Sequence, residues 1–572
     1  MHELDQAETI AFLASPAAFG RKGAGTGTIV TDVSIVLLLG DRALKLKKAA
    51  RFAHIDLSTP ENRFAACQEE LRLNWRAAPS IYRAVHRITR EPCGSLVLNG
   101  SGPLVDAALD MARFDDSQIF DRLAREELLS MTHLESLGRR IAEFHQNAEI
   151  VLCEGVSRIE TVLADNARAL AATRAVPADD VAKAMQACKV ALERHGDLLD
   201  RRALSGQVRR CHGDLQLRNI CLVDGVPTLF DCLEFDPERA TTDVLYDLAF
   251  VLMDLWHRRL PLHANILFNR YLDASGDELG TALLPLFMAI HAIIRARAAA
   301  AEVAETEFDS AWSRAEARSY LALAHDLLAW RPPLLVAIGG YSGSGKSNVA
   351  ARISHALGPP PGARILSSDR IRKWLFGVAP ETPLGPEAHA APISDLVHAT
   401  IAERADALTA AGHAVVVDAV FDRASWRDRL AAIASRGHVS FRGLWLDAPA
   451  DVLMRRVAAR RGDPSDATPD VVMGQIARQS VPADWLCICA ICEIEAIGAT
   501  ALLAIREPSV LTHYEACPGR LAMSASPVSL SCSRAVLSAA STRSRGIADM
   551  AAAVEMTTAN EPPTATRSLR CS

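Results

Sequence analysis

The stretch Cys211–Glu234, CHGDLQLRNICLVDGVPTLFDCLE, holds the residue types that phosphoryl transfer needs, in about the order it needs them. Asp214 follows His212 and Gly213, Asn219 completes an H-x-D-x₄-N pattern, and Asp231 and Glu234 come after an apolar run and a Val-Asp-Gly turn. One carboxylate can orient or deprotonate an attacking hydroxyl, while an amide oxygen and a second carboxylate can hold Mg²⁺ on a phosphate chain. On that reading Asp214 is the candidate base, and Asn219 and Asp231 are candidate metal ligands. Any one of these residues would suit a polar loop between strands, with His212 a satisfied core histidine. The joint pattern is what argues for chemistry.

A second constellation begins at residue 334. Leu334–Ile338 has the make-up of a buried strand, Gly340-Tyr-Ser342-Gly343-Ser344-Gly345-Lys346-Ser347 follows it, and residues 348–357 have a helical pattern. This is G-x₄-G-K-S in the strand–loop–helix setting it requires. Glycines let backbone N–H groups wrap phosphate oxygens, Lys346 reaches the terminal phosphates, and the Ser347 hydroxyl ligates Mg²⁺. Two further strand patterns end in acids: residues 364–369 in Asp369, at the carboxyl edge where open α/β sheets bind ligands, and residues 414–418 in Asp418, which suits a Mg²⁺-side role. Arg456 and Arg460, spaced i, i+4, would share a helix face and could close onto transferring phosphate; an exposed basic helix is the alternative.

The elements that must position these groups are also legible. Residues 19–48 read as paired strands: Ile35–Leu39 is a buried run, Gly40-Asp41 a turn, and Arg42-Ala-Leu-Lys45-Leu-Lys47 alternates with period two. Gly23-Ala-Gly25-Thr-Gly27 upstream is a glycine-rich turn that could cover a nucleotide. From Pro60 the pattern is helical and contains Glu69 and Glu70. Residues 118–200 are helical almost throughout, and His145 ends one such helix in a structural role. Arg331-Pro332-Pro333 ends the helical run and marks the boundary before the glycine loop.

The 211–234 stretch resembles the catalytic and metal loops of the aminoglycoside phosphotransferase family, whose fold is that of the protein kinases. Gly213, where protein kinases usually carry Arg, points to the small-molecule branch. The resemblance implies that Arg42-Ala-Leu-Lys45 stands where kinases have V-A-I-K, so that Lys45 contacts the nucleotide's phosphates, with Lys47 on the same face as the alternative. It also implies that Glu70 pairs with that lysine, with Glu69 as the alternative, and that Met111–Asp115 lies at the hinge between lobes. Residues 333–486 resemble the small P-loop kinases of the AAA-type, polynucleotide- and gluconate-kinase-like group. From that resemblance Asp369 orients the acceptor hydroxyl and Arg372 contacts the acceptor.

The expected fold is therefore multidomain α/β. A protein-kinase-like phosphotransferase domain (1–330) precedes a parallel-sheet P-loop domain (333–486) that lacks its last strand and helix, and a disordered tail (487–572) follows. The chain has 572 residues, too many for one core. Lys and Arg total 62 against 68 for Asp and Glu, a net charge of −6, which gives no global field for nucleic acid or anionic lipid. The start lacks the basic and apolar parts of a signal peptide, and the longest apolar run, 282–294, is too short to span a bilayer, so a cytoplasmic protein is expected. Seven of the 13 cysteines are scattered singly, as buried thiols would be, and six crowd the last 86 residues. Cys487, Cys489 and Cys492 have no second ligand pair that would make a metal site. The function expected is ATP- and Mg²⁺-dependent transfer to the hydroxyl of a small-molecule acceptor. The competing readings are an ATP-binding regulatory module without turnover in one domain, and a nucleic-acid 5′-end kinase in the second.

Overall fold

The structure, a computed structural model, describes residues 6–19, 26–31, 33–52, 55–173, 175–305, 310–478 and 481–507. Gly23 and Gly25 of the glycine-rich turn and residues 508–572 of the expected tail lie outside them.

The first half opens with a six-stranded antiparallel sheet: β1 (Thr26–Val30), β2 (Ser34–Leu39), β3 (Arg42–Lys47), β4 (Tyr82–Arg90), β5 (Leu96–Leu98) and β6 (Leu104–Ala112), in the order β1-β2-β3-β6-β4-β5. Period-two alternation sets its faces. Leu44 and Leu46 of β3 enter a cluster with Leu37, Ile88 and Ala108, which leaves Lys45 and Lys47 on the opposite face. On that side Ala107 and Leu109 pack with Cys67, under the helix Pro60–Trp75. The Thr59 side chain accepts the Asn62 N–H at its N-cap and Pro60 fills the first turn, so the helix starts where capping chemistry dictates.

Below the sheet lies a helical region: Met131–Gln146, Gly155–Ala172, Ala178–Leu204, Val244–His257, Pro261–Ser275, Leu284–Glu305 and Ser310–Leu327. Inserted in it are β7 (Val208–Arg210) and the hairpin β8 (Ile220–Val223) and β9 (Val226–Leu229), followed by β10 (Thr241–Asp243), which pairs with β7. Asp224 and Gly225 both have positive φ, 51° and 76°, the conformation a two-residue hairpin turn requires. The span Thr281–Glu302 is long and apolar enough to cross a membrane by length and composition, longer than the 282–294 run. Two-thirds of its most apolar stretch is buried against its neighbours.

The second half is a five-stranded parallel sheet of β11 (Leu334–Gly339), β12 (Arg364–Ser367), β13 (Val415–Asp418), β14 (Ser440–Asp447) and β15 (Leu486–Cys489), in the order β12-β13-β11-β14-β15. Two expectations are corrected here. The P-loop sheet is not short of its last strand and helix: Leu486–Cys489 pairs with β14, and the helix Ile494–Arg506 packs on the helix Lys346–Ser354. Ile488, Ala490, Ile497, Ala501, Ala504 and Ile505 enter the core, so 487–506 holds enough apolar surface for one strand and one amphipathic helix. Its Cys-rich, Ala-rich composition had hidden that pattern. The thiols differ too, since Cys93 is exposed and Cys153 half-buried.

The described residues of both halves fall in one compact unit. β12 is an edge strand, and edges expose unpaired N–H and C=O groups. Here the helix Pro261–Ser275 of the first half supplies the partners. Asn269 Oδ1 accepts the Ile365 N–H at 2.7 Å, and the side-chain amides of Asn265 and Asn269 donate to Ala363 O at 3.1 and 3.2 Å. Arg364, 2 % exposed, adds ion pairs to Asp273 (2.7 Å) and Glu278 (2.9 Å).

Candidate functional site

Two sites emerge. In the first, residues far apart in sequence meet. Lys45 Nζ lies 2.7 Å from Glu70 Oε1 and 2.6 Å from Asp231 Oδ1. Lys47 Nζ lies 2.6 Å from Glu70 Oε2 and also bonds Glu234. Glu69 instead pairs with Arg72 on the outer face of its helix. Burial works to lower the pKa of Lys45, but Asp231 and Glu70 carry it well above the usual lysine value. Burial likewise opposes the ionisation of Asp231, and Lys45 outweighs it, holding the carboxyl down to about 2. Atoms crowd this carboxylate, yet 44 % of the side chain is open, so water screens the pairing and leaves room for a cation. Burial, then Glu70, raises Glu234.

The loop that carries Asp214 is gripped from behind. Asp247 accepts the backbone N–H of His212 at 3.2 Å and of Gly213 at 2.8 Å, and His145 Nε2 is 3.0 Å from the same carboxylate. Gly213 has φ +81°, and a Cβ there would come within 2.9 Å of the Ala240 Cβ, so only glycine fits this bend. Asp214 Oδ2 accepts from Asn219 Nδ2 at 2.9 Å, and its Oδ1 accepts from Gln216 at 2.6 Å. Asp231 has φ +63° and its N–H bonds the Tyr82 hydroxyl at 3.0 Å, which fixes a strained backbone where the carboxylate leaves β9. Asn219 and Asp231 present hard oxygen donors, one of them firmly ionised, a set that suits Mg²⁺.

The second site is a polar cavity of about 790 Å³ at the carboxyl ends of the parallel strands. Gly343 and Gly345 take φ +89° and +87°. A Cβ on Gly343 would sit 2.6 Å from Leu453 O. The helix Lys346–Ser354 starts directly after this loop, so its N-terminal N–H groups and dipole face the cavity. Ser347 Oγ donates to Asp418 Oδ2 at 2.6 Å, and Lys346 Nζ reaches Tyr341 O at 3.2 Å. Burial lowers Lys346 in spite of Asp418 and Asp369, and burial raises Asp418 in spite of Lys346. Among the described residues, three buried polar atoms of this lining, Ser344 Oγ, Arg372 Nε and Arg460 Nη1, have no hydrogen-bond partner. Orphaned donors beside a lysine in a glycine loop fit a polyphosphate, and Ser347 with Asp418 fits its Mg²⁺.

Ser342 to Ser347 line the cavity, as do Asp369 and Arg372, whereas Gly340 at the start of the loop is not among the lining residues. Three details differ from the sequence reading. β12 ends at Ser367, so Asp369 sits in the first turn of the helix Ser368–Leu375. Arg460 lies beyond the helix Ala450–Ala458 that carries Arg456, so the two do not share a helix face although both line the cavity. Arg372 already donates to Ala388 O at 2.6 Å. Residues the sequence reading gave no role also take part. Gln475 Oε1 accepts the Ser342 N–H at 2.8 Å and its amide donates to the Ser342 hydroxyl at 3.1 Å, the Ala490 carbonyl accepts from Arg456 at 2.8 Å, and Cys492, Glu493 and Ile497 close one side. Nothing in the local sequence around Gln475 signals that contact. Glu234 stands beside Asp231 in the sequence pattern without an assigned role; its bond to Lys47 supplies one.

Comparison with known proteins adds to this geometry. A protein of Mycobacterium tuberculosis (strain ATCC 25618 / H37Rv), described as uncharacterized, is 29 % identical over 425 residues, covering 72 % of this chain and 82 % of its own. A gluconokinase structure from Sinorhizobium meliloti 1021 is similar at 24 % identity, covering 31 % of this chain and 93 % of that one, with a TM-score of 0.23. A choline/ethanolamine kinase family structure from Mesorhizobium loti is similar at 13 % identity, covering 56 % and 99 %, with a TM-score of 0.35. Residues 335–482 match the family described as AAA domain, so the second half of the chain carries a P-loop domain of that type.

Proposed function

We propose that the chain is an ATP- and Mg²⁺-dependent phosphotransferase with two nucleotide sites, acting in the cytoplasm. In the first, Lys45 contacts the phosphates, Asn219 and Asp231 hold Mg²⁺, and Asp214 orients the hydroxyl of a small-molecule acceptor. In the second, the Gly340–Ser347 loop and Lys346 hold the phosphates, and Ser347 and Asp418 hold the metal. Asp369 faces the acceptor there, with Arg372 beside it, and Arg456 and Arg460 stabilise the transferring group. The metal would neutralise phosphate charge; the chain's own side chains orient, exclude water and accept the proton.

The observation that supports this reading most is the meeting of positions 45, 70 and 231, separated by up to 186 residues, in contacts of 2.6–2.7 Å around one lysine. The complete β15 and its following helix weaken the reading of the second half as a degenerate regulatory module. A 5′-end kinase would need a basic channel, and this cavity sets Asp369, Asp422, Asp463 and Asp466 among its arginines. An ATP-consumption screen against metabolite and nucleic-acid libraries tests the proposal, run on wild type, Asp214→Asn and Lys346→Ala. Two nucleotides should bind per wild-type chain and one per Lys346→Ala chain; a single wild-type site would refute it.

A further inference from the structure

The first site contains two lysines, Lys45 and Lys47, facing three carboxylates, and their exposures rank them. Lys47, Glu70 and Glu234 have side-chain exposures of 2, 0 and 7 %, whereas Lys45 and Asp231 have 13 and 44 %. Lys47 is sealed on the inner side, with Glu70 Oε2 at 2.6 Å and Glu234 in contact. Lys45 stands at the cleft, with Glu70 Oε1 at 2.7 Å and Asp231 at 2.6 Å. A cation bound at Asp231 would share its carboxylate with Lys45, whose Nζ lies on Oδ1, so Lys45 is the lysine placed to exchange partners when a metal–phosphate group arrives. Lys47 has no open side from which to make such an exchange.

We propose that the two lysines divide the work. Lys45 is the ammonium that changes partners toward phosphate, and Lys47 is a positioning residue, a fixed strut joining three elements. It ties β3, where it sits, to the helix Pro60–Trp75 through Glu70 and to the metal-binding turn through Glu234. The strut holds Glu70 aimed at Lys45 and keeps the turn bearing Asp231 in register with it. It also occupies two carboxylates that would otherwise draw Lys45 inward, away from the cleft. This rests on the reading of the first site as a nucleotide site, and it adds a role for Lys47 and Glu234 that the motif does not supply.

The test uses the full chain carrying Lys346→Ala, so that only the first site binds, with a fluorescent mant-ATP probe and Mg²⁺. Lys45→Met should lower affinity about tenfold or more at saturating Mg²⁺, as loss of a charged hydrogen-bond partner does. Lys47→Met should leave that affinity within about threefold but raise the Mg²⁺ needed for half-maximal binding about tenfold, the usual effect of removing a group that orients a ligand. Lys47→Met/Glu234→Gln, which removes one freed carboxylate, should recover most of the Mg²⁺ sensitivity. The proposal is overturned if Lys47→Met abolishes binding while Lys45→Met spares it, or if the double variant recovers nothing. Thermal melts without nucleotide give a second, independent arm. Losses in Tm for Lys47→Met and Glu234→Gln that are clearly less than additive in the double variant support the strut, and strict additivity overturns it. If the parent chain binds no mant-ATP, the nucleotide reading fails, and the melts still decide whether Lys47 joins these elements.

Discussion

On the proposed reading, the two sites meet the same need, an anionic phosphate chain held beside a hydroxyl, by opposite means. The P-loop site would take most of its phosphate-binding groups from eight consecutive residues, Gly340–Ser347, whose backbone geometry is set by glycine and by a helix start. The first site takes its groups from positions 45, 47, 70, 214, 219, 231 and 234 and holds them with charge pairs. A local loop tolerates movement of its surroundings, because its donors move together. A site assembled by ion pairs across a sheet, a helix and two loops depends on each partner staying in place, and losing one leaves a buried charge unpaired.

That contrast can be broken most sharply by removing one side chain at each site. Asp214→Asn should lower acceptor-dependent turnover of the first site about 10²–10⁴-fold, the range for a positioned general base, while mant-ATP binding there persists. Lys346→Ala should silence the second site and leave the first intact. Acceptor-dependent turnover that survives Asp214→Asn at the wild-type rate would remove the base from the scheme.

The next effect concerns residues 487–507. A parallel sheet needs helices on both faces, and β15 with the helix Ile494–Arg506 covers β14 and the helix Lys346–Ser354. Trp485, just before β15, packs so closely on β14 that a Cβ at Gly443 would lie 2.5 Å from its indole. Ending the chain at residue 486 should therefore unfold the second half, with loss of nucleotide at that site and aggregation on expression. Limited proteolysis of the full chain should leave residues 486–507 in the same resistant fragment as β14. A stable, nucleotide-binding chain ending at 486 would show that the added strand and helix are dispensable.

The P-loop, its flanking strand and helix, and Asp418 were legible because contiguous residues with a fixed period encode them. Asp214, Asn219, Asp231 and the turn at Asp224-Gly225 were legible for the same reason. Lys45 and Glu70 could be named only from their order along a resembling fold. Lys47's bond to Glu234 was not legible, because a pair 187 residues apart has no local signature. The strand at 486–489 was missed because four residues containing two cysteines give too short an alternation to read. The junction of the halves was invisible as well. Asn265, Asn269 and Asp273 look like the polar face of an ordinary helix, and only the unpaired edge of β12 explains them.

That junction gives the third prediction, which asks whether the halves are separable. Arg364→Met would take from Glu278 its nearest cation and from Asp273 one of two cations at 2.7 Å, leaving Arg404 and Arg270 as partial replacements, so the loss should stay at or below the ~3–5 kcal/mol of a fully broken buried pair. Denaturant unfolding should show the loss, chiefly in the second half. Asn269→Leu should cost less, about 1–3 kcal/mol for the unsatisfied Ile365 N–H at the strand edge, since Asn265 still donates to Ala363 O. An unchanged midpoint in Arg364→Met would mean that the edge is held by packing alone.

The smallest expected effect is a pH dependence at the same junction. His413 is fully buried, its ring lies 5.6 Å from that of Phe268 in the first half, and burial lowers its pKa to about 4. A hydrogen bond to the Gly362 backbone works the other way, and the nearby Arg364 charge adds to the lowering. The folded state keeps this imidazole neutral, while the unfolded chain protonates it near 6.5. Between these two values the unfolded state binds more protons, so stability is full above about pH 6.5 and falls as pH drops toward 4. At pH 5 the loss from this one residue is about 2 kcal/mol. His413→Gln can keep the Gly362 contact without titrating. The wild-type loss of stability between pH 7.5 and 5 should therefore exceed that of the variant by about 2 kcal/mol. Equal losses would show that water reaches His413 and that the junction opens more readily than its buried asparagines and ion pairs imply.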